Sequence, residues 1–246
     1  MYNYVVLIPT HKRNTAIRNK TLALLRKHNI PDNIIYIFPS VESNWQVEEG
    51  ENYNIITDSD NSSVLSVRNH FISMFPEKQK IVEMDDDIED LINMNNESVE
   101  NLNDIINECF AISKGNLWGF NSTSNMYYSN GKVKVGLYSI INSFLGYEND
   151  KSISLSMNEK EDFERVILHY LKDKPVYKFT QYGIKTKYWT NKGGFQDHYD
   201  TEGRNKVQEK MADLIHNKYP DLTYISRRKN GKTDIKFKRQ KRNKYL

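Results

Sequence analysis

Three consecutive acidic residues, Asp85, Asp86 and Asp87, directly follow a strand predicted at 80–84. Carboxylates crowded at the end of a buried strand repel one another and lose hydration, which disfavours their charged forms. A divalent cation such as Mg²⁺ or Mn²⁺ removes that cost, because it prefers oxygen ligands and can also bridge substrate phosphates. Side chains two residues apart on an extended backbone point the same way, so Asp85 and Asp87 could share one ion. The alternative is a solvated acidic turn that caps a helix at residues 90 and 91.

A polar loop after the first predicted strand is the second candidate site. It contains Pro9, Thr10 and Arg13 and precedes the first predicted helix. Hydroxyl groups, cationic side chains and a helix N-terminus together suit a phosphate group or a nucleoside. The alternative is an ordinary polar connection between a strand and a helix, with Thr15 as the capping residue.

Two acidic residues, Glu161 and Asp162, stand near the start of an amphipathic helix predicted at 159–171. A transferase needs a general base to deprotonate the hydroxyl group of its acceptor. A carboxylate at a helix N-terminus that faces the cleft can serve, and Asp162 is the better placed candidate. The alternative is that both acids only interact favourably with the helix dipole.

A glycine pair, Gly193 and Gly194, precedes His198 in the last third of the chain. Glycine permits positive φ angles and lets the backbone approach a ligand closely. His198 could then bind a metal ion or a diphosphate, whereas a single loop histidine usually does neither.

The elements that must position these residues alternate between strand and helix in the first half of the chain. Hydrophobic patterns predict four strands there, at 2–8, 34–38, 53–57 and 80–84. They also predict two helices, at 16–28 and 64–75. This alternation is typical of βαβ units and of a parallel sheet, which binds ligands at the carboxyl ends of its strands.

The alternation weakens beyond residue 90. Helices are predicted at 102–113, 159–171 and 206–216. Strands are predicted at 117–120, 132–141 and 176–182, with a final hairpin formed by 222–226 and 233–238. We therefore expect a single Rossmann-like α/β domain with a mixed, mainly parallel sheet.

Positive charge is concentrated at the C-terminal end. The whole chain carries a formal charge of +3, but residues 227–246 contain ten Lys or Arg and one acid, so the remainder is net negative. A basic segment suits contacts with nucleic-acid phosphates, and its Phe237 and Tyr245 could stack on bases or pack in the fold. The alternative is a charged terminus that aids solubility. We expect a main domain at 1–226 and a basic segment at 227–246, packed on that domain or extending from it.

The composition excludes several other classes of protein. Hydrophobic residues make up 38% of the chain and aromatic residues 12%, which excludes disorder of the whole chain. The single cysteine, Cys109, excludes an intramolecular disulfide and is expected to be buried and inert. No secretory signal is recognised, and no apolar run approaches the roughly 20 residues that span a bilayer. We expect a cytoplasmic protein, viral or bacterial, without a membrane partner.

The candidate motifs occur in an order that resembles the GT-A glycosyltransferases, and more narrowly the TET/JBP-associated glycosyltransferase family. That family includes the glucosyltransferase that makes base J and viral enzymes that glycosylate hydroxymethylated pyrimidines in DNA. The resemblance spans roughly residues 4–200. The matching positions are Ile8-Pro9-Thr10 with Arg13, Arg68-Asn69, Asp85-Asp86-Asp87-Ile88, Glu161-Asp162-Phe163 and Gly193-Gly194-Phe195-Gln196.

This resemblance implies a role for individual residues. Asp85 and Asp87 would hold Mn²⁺ or Mg²⁺ against the diphosphate of a UDP-sugar, and His198 would add a metal ligand. Asp162 would act as the base, with Glu161 beside it, and direct attack would invert the anomeric centre. The donor-binding residues would be Pro9, Thr10, Arg13, Arg68, Asp86, Gly193 and Gly194.

The function predicted in this way is sugar transfer from a nucleotide sugar to a hydroxymethylated pyrimidine in double-stranded DNA. Two alternatives stay open. One is a GT-A transferase that acts on protein, lipid or glycan, and the other is a non-catalytic nucleic-acid-binding protein on a transferase fold. The intact acids Asp85, Asp87 and Asp162 argue against the last. The sequence determines neither the sugar nor the oligomeric state.

Overall fold

The computed structural model describes residues 2–57, 63–172, 174–187, 201–227, 233–241 and 244–245. One half of its main sheet consists of four parallel strands. These are β1 (Tyr4–Thr10), β2 (Ile35–Pro39), β3 (Asn54–Ile55) and β4 (Lys80–Met84), in the spatial order β4-β1-β2-β3. The parallel βαβ arrangement predicted for the first half of the chain is therefore present.

The second half of the sheet is mixed. Its strands are β5 (Asp90–Ile92), β6 (Trp118–Asn121), β7 (Val133–Gly136), β8 (Phe144–Glu148) and β9 (Val176–Lys185). Three later strands are described: β10 (Thr223–Arg227), β11 (Thr233–Phe237) and β12 (Lys244–Tyr245). The full order is β12-β7-β9-β6-β8-β4-β1-β2-β3, with β5 paired to β9 and with β10 and β11 forming a separate antiparallel pair. Strands β5, β7 and β8 run opposite to the rest of the main sheet.

Six α-helices accompany the described strands. They are α1 (Asn14–Asn19), α2 (Thr21–Lys27), α3 (Val64–Met74), α4 (Leu102–Ser113), α5 (Glu161–Leu171) and α6 (Thr201–Lys218). Within the described residues, no helix has the length and apolar character needed to cross a membrane.

Alternating side chains of the central strands fill one hydrophobic core on each side of the sheet. On β1, Val6 and Ile8 face the core that α1, α2 and α4 cover, whereas Leu7 faces the core that α3 and α5 cover. Alternation of this kind follows from the two-residue period of a strand. Cys109 lies in the first of these cores, as predicted, and burial raises the pKa of its thiol.

The predicted helix at 16–28 is wrong in one respect, because the structure has two helices there. The helix is interrupted at Lys20, whose φ of −121° and ψ of −89° are not helical. The break places Thr21 at the start of α2, where its hydroxyl donates to the carbonyl of Asp85 at 2.7 Å and accepts from the amide of Ile88 at 2.9 Å. The sequence has a continuous helical pattern here, but the helix is interrupted at the point where Thr21 contacts the acidic turn.

The basic C-terminal segment contributes to the fold in its described parts. Ile235 on β11 is buried against α5 and α6, and β12 pairs with β7 in the main sheet. The ring of Phe237 packs on Phe163, with 4.9 Å between the ring centroids. Two aromatic residues of this segment were candidates for stacking on bases. One of them, Phe237, packs against α5 in the fold.

Candidate functional site

The carboxyl ends of β1 and β4 lie side by side because these strands are parallel neighbours in the sheet. Thr10, the last residue of β1, donates a hydrogen bond from Oγ1 to Asp86 Oδ2 at 2.8 Å. Arg13 donates from Nη1 to Asp86 Oδ1 at 3.0 Å. Pro9 lies within β1, in register with Phe38 of β2. The first loop and the acidic turn, which the sequence singled out separately, thus form one site.

Asp87 extends this site toward the end of β9. Arg13 Nη1 lies 3.3 Å from Asp87 Oδ2, so a single guanidinium group contacts two neighbouring carboxylates. Thr186, the residue after β9, donates to the carbonyl of Asp87 at 2.9 Å and to its Oδ1 at 3.1 Å. Thr186 was not a candidate from the sequence. The predicted strand at 176–182 stopped short of it, whereas β9 continues to Lys185.

Asp85 has the most open side chain of the three acids. It is 38% exposed, compared with 7% for Asp86 and 14% for Asp87. Arg68 Nη2 donates to its Oδ1 at 3.0 Å. The surrounding protein displaces water and raises the pKa of Asp85 to about 7; Arg68 opposes this rise, and Asp87 and Asp86 add to it. A bound cation would favour the charged form of this partly exposed carboxylate.

The acidic turn fits a divalent cation that is completed by a substrate. The described residues contain no group of three or more His, Cys, Asp or Glu side chains arranged as a metal site. Asp85 nevertheless offers an accessible carboxylate beside that of Asp87, and Mg²⁺ is commonly bound by one or two carboxylates together with substrate phosphates. The residues present therefore suit a cation that binds with a diphosphate better than one held by the protein alone.

A second polar wall lies where β1 and β2 end. The ring Nδ1 of His11 lies 2.8 Å from Ser40 Oγ, and Ser40 Oγ lies 2.8 Å from Ser43 Oγ. The amide of Lys12 donates to Ser43 Oγ at 2.9 Å, and Asn14 Nδ2 donates to the Ser43 carbonyl at 2.9 Å. Sequence reasoning missed the serines, although Ser40 lies only two residues after the strand predicted at 34–38. These contacts fix the loop after β1 against the residues that follow β2.

The start of α5 lies next to the acidic turn. Asn142 links the two, because its side-chain Nδ2 donates to Glu161 Oε1 at 2.9 Å while its backbone carbonyl accepts from Nη2 of Arg68, the arginine that binds Asp85, at 3.4 Å. Burial raises the pKa of Asp162 to about 7, the carboxylate of Glu161 adds to the rise, and the amide of Phe163 opposes it. A carboxylate with a pKa near neutrality has the basicity that a general base requires.

The structure brings most of the predicted site together. Thr10, Arg13 and the three acids form one cluster, and a chain of hydrogen bonds through Arg68 and Asn142 connects it to Glu161. Arg68 is buried, 2% exposed, so it contacts the site from within the protein. Gly193, Gly194 and His198 lie outside the described residues.

The fold class predicted from the sequence is confirmed, because the main sheet is mixed and mainly parallel and α-helices cover both of its faces. No protein-family profile matches the chain, and no curated protein does. S. aureus TarS (residues 1–349) in complex with UDP superposes on it with a TM-score of 0.52 and 12% identity, covering 88% of this chain and 66% of that one. The structure of TarS 1–349 alone gives a TM-score of 0.49 at the same identity and coverage.

A third solved structure, the CMP:2-keto-3-deoxy-manno-octonic acid synthetase complexed with CTP, gives a TM-score of 0.42. It is 10% identical, and the match covers 73% of this chain and 90% of that one. The chain spans about two thirds of the length of the TarS structures that it matches. At such identities the likeness to UDP-bound TarS concerns the fold alone. It does not extend to the narrower TET/JBP-associated family.

Proposed function

We propose that this protein is a metal-dependent glycosyltransferase that moves a sugar from a UDP-sugar to the hydroxyl group of a hydroxymethylated pyrimidine in DNA. The observation that carries the proposal is the joining of Thr10 and Arg13 to the acidic turn at the carboxyl ends of β1 and β4. This edge is where an open α/β sheet binds its ligands. The UDP in the TarS complex, a protein of the same fold, supports a uridine nucleotide as the donor.

The donor side of the reaction requires stabilisation of a leaving diphosphate. Asp85 and Asp87 would hold Mg²⁺ or Mn²⁺, which when bound neutralises charge on the departing nucleoside diphosphate. Arg13 contacts both Asp86 and Asp87, so its single positive charge offsets part of their negative charge and orients both carboxylates. The loop after β1 would hold the nucleotide through its hydroxyl and amide groups.

The acceptor side requires removal of one proton. Asp162 would accept the proton of the acceptor hydroxyl while that oxygen forms a bond to the anomeric carbon and the bond from this carbon to the diphosphate breaks. The products are the glycosylated acceptor, UDP and a protonated Asp162, which returns its proton to water. One direct displacement of this kind inverts the anomeric centre.

A DNA acceptor is supported by the charge of the C-terminal hairpin. Lys236, Lys238 and Arg239 are exposed, and Tyr224, 42% exposed, lies opposite Lys236 in the register of β10 and β11. Exposed cations beside an aromatic ring suit phosphates and bases. A modified base must leave the helical stack to reach a buried site, and a basic surface would hold the deformed duplex.

The proposed function is tested with a panel of UDP-sugars, Mn²⁺ and duplexes that carry hydroxymethylcytosine, hydroxymethyluracil or no modification. Nucleosides released by digestion are analysed by mass spectrometry. We expect one sugar to be added to a hydroxymethylated base and none to the unmodified duplex. Consumption of a UDP-sugar without product on any duplex would instead point to a protein, lipid or glycan acceptor. A failure to consume any nucleotide sugar, together with tight DNA binding, would favour the non-catalytic alternative.

DNA binding is tested by charge reversal, because removal of residues 227–246 would also remove β11 and β12 from the fold. Lys236→Glu combined with Lys238→Glu should weaken duplex binding. The slope of log K against log salt concentration should become less steep by about one for each lysine that contacts a phosphate. Lys151→Glu, an exposed lysine elsewhere on the surface, is the matched control. Equal affinities for the control and the double variant would exclude the hairpin as the DNA-binding surface.

A further inference from the structure

A buried carboxylate on β4 pairs with two buried arginines, which lie far apart in the sequence on two different helices. Glu83 is fully buried, and it pairs through Oε2 with Arg68 of α3 and through Oε1 with Arg165 of α5. Tyr147 of β8 also donates to Glu83 Oε1, at 2.5 Å. Four elements of secondary structure therefore meet at one side chain, two residues before Asp85.

This arrangement costs free energy that a hydrophobic packing would avoid. Taking three charges out of water is expensive, and such groups can often be replaced by apolar residues without loss of stability. Burial favours the neutral form of Glu83, but Arg165 and then Arg68 hold its pKa below the ordinary value. Arg165 pairs with Glu83, and Arg68 pairs with Glu83 and Asp85. In the described part of the chain, the Nε atom of each arginine has no hydrogen-bond partner. Stability alone therefore does not account for this buried cluster of charges.

The two arginines connect Glu83 to different parts of the proposed site. Arg68 binds Glu83 with Nη1 and Asp85 with Nη2, at 3.0 Å from the latter, so one planar group sets the relative position of both carboxylates. Arg165 lies on α5 three residues after Asp162, which places the two on neighbouring positions of one helix face. The pair between Arg165 and Glu83 thus ties the helix that carries the proposed base to the strand that carries the proposed metal ligands.

We propose that Glu83 is a positioning residue for sugar transfer, which orients Asp85 through Arg68 and fixes the α5 helix of Asp162 through Arg165. This inference rests on the proposed function. It assigns distinct effects to the two arginines, because Arg68 contacts a proposed metal ligand and Arg165 does not. Loss of the Arg68 contact should weaken binding of the cation and diphosphate, whereas loss of the Arg165 contact should slow the transfer step alone.

The same substitution, arginine to lysine, made separately at Arg68 and at Arg165 separates these effects. Lysine keeps the positive charge but has a single ammonium group, which cannot reproduce the fork that a guanidinium presents to two carboxylates. Binding of UDP in the presence of Mn²⁺ is measured by calorimetry, and kcat and KM are measured with the active UDP-sugar. We expect Arg68→Lys to weaken UDP binding by about tenfold, the lower end of the range for residues that support metal ligands. We expect Arg165→Lys to leave the UDP Kd within about twofold and to lower kcat by about tenfold to 10²-fold, because a displacement of about 1 Å at a catalytic group can cost that much.

Glu83→Gln tests the centre of the network, with Glu164→Gln as its control. Glu164 is a second fully buried carboxylate; it lies on α5 and binds the amides of Ser156 and Met157 and the amine of Lys218. Both substitutions should lower the melting temperature, but only Glu83→Gln should impair both UDP binding and kcat. If Glu83→Gln does not fold, the two arginine variants decide.

The possible outcomes are separable. Equal UDP affinities for Arg68→Lys, Arg165→Lys and the unaltered protein would overturn the inference, as would identical losses in Glu83→Gln and Glu164→Gln. If the unaltered protein neither binds UDP with Mn²⁺ nor consumes a UDP-sugar, the proposed function fails and this inference fails with it. Normal turnover by the unaltered protein together with unaffected variants would contradict the inference alone.

Discussion

Thr10 donates a hydrogen bond of 2.8 Å to Asp86, although 76 residues separate them in the sequence. Both side chains are buried at the edge of the sheet where β1 and β4 end. This contact, with that between Arg13 and the same carboxylate, fixes the loop that would hold the nucleotide against the turn that would hold the cation. The geometry of the proposed donor site therefore depends on Asp86 as well as on the two acids beside it.

Thr10→Val should weaken this link without changing the shape of the side chain. The substitution removes the donor to a buried carboxylate, and the loss of a hydrogen bond to a charged group costs about 1.5–3 kcal/mol. We expect a lower free energy of unfolding in urea and a higher KM for the donor. Thr10→Ser, which keeps the hydroxyl, should restore most of both properties. A Thr10→Val protein with the original KM would show that the link does not shape the donor site.

Asp162→Asn should abolish most of the catalysis and alter its dependence on pH. Because burial and Glu161 raise the pKa of Asp162 to about 7, the carboxylate is protonated below that pH and cannot accept a proton. The rate of the unaltered protein should therefore rise with pH through about 7 and then level off. Asp162→Asn should lower kcat by about 10²- to 10⁴-fold, the usual contribution of a general base.

Glu161→Gln provides the control for this assignment. Removing the negative charge of Glu161 should lower the pKa of Asp162, so the midpoint of the pH profile should shift to lower pH while kcat at high pH is largely retained. The pH profile of kcat measures both effects. Because the pKa of Asp85 is also raised to about 7 and Glu161 contributes to that rise, the decisive arm is Asp162→Asn: a remaining rate increase through pH 7 in that variant would assign the ionisation to Asp85 and not to Asp162.

Gly146→Ala should destabilise the sheet beside the site. A β-carbon at Gly146 would lie 2.3 Å from Cζ2 of Trp118, a fully buried residue of the neighbouring strand β6. Overpacking of a core typically costs about 1–3 kcal/mol. For a chain of this size that corresponds to a melting temperature lower by roughly 2–12 °C, measured by calorimetry. The same substitution in a Trp118→Phe background should cost less; an equal cost would attribute the effect to something other than this contact.

Local patterns in the sequence were enough to predict the elements that carry the acidic turn. The strand Lys80–Met84 and the helix Leu102–Ser113 have the predicted bounds, since each has a hydrophobic pattern of its own. The turn of three acids at the end of β4 follows from that strand. The pairing of Thr10 with Asp86 agrees with the general rule that parallel strands place their ends at one edge of the sheet.

Other features depend on distant residues and could not be read from local patterns. Strand β8 was not predicted, because Gly146 interrupts its hydrophobic pattern; the missing side chain leaves room for Trp118 of β6, a contact that no local pattern reveals. Residues 90 and 91 belong to strand β5, which pairs with β9; the suggested helix there is wrong. Glu83 resembles an exposed polar residue of a strand, and its burial becomes understandable only when Arg68 and Arg165 are placed beside it.

Calorimetric titration with UDP, in Mn²⁺ and again in excess chelator, tests the central claim most directly. We expect Mn²⁺ to lower the Kd of UDP for the unaltered protein by at least about tenfold, because the cation joins the acidic turn to the diphosphate. Asp85→Asn should lose this effect, whereas Asp104→Asn, on the distant helix α4, should retain it. A UDP affinity that is indifferent to Mn²⁺, or an Asp85→Asn protein that keeps the full metal effect, would contradict the assignment of a metal-dependent donor site to the acidic turn.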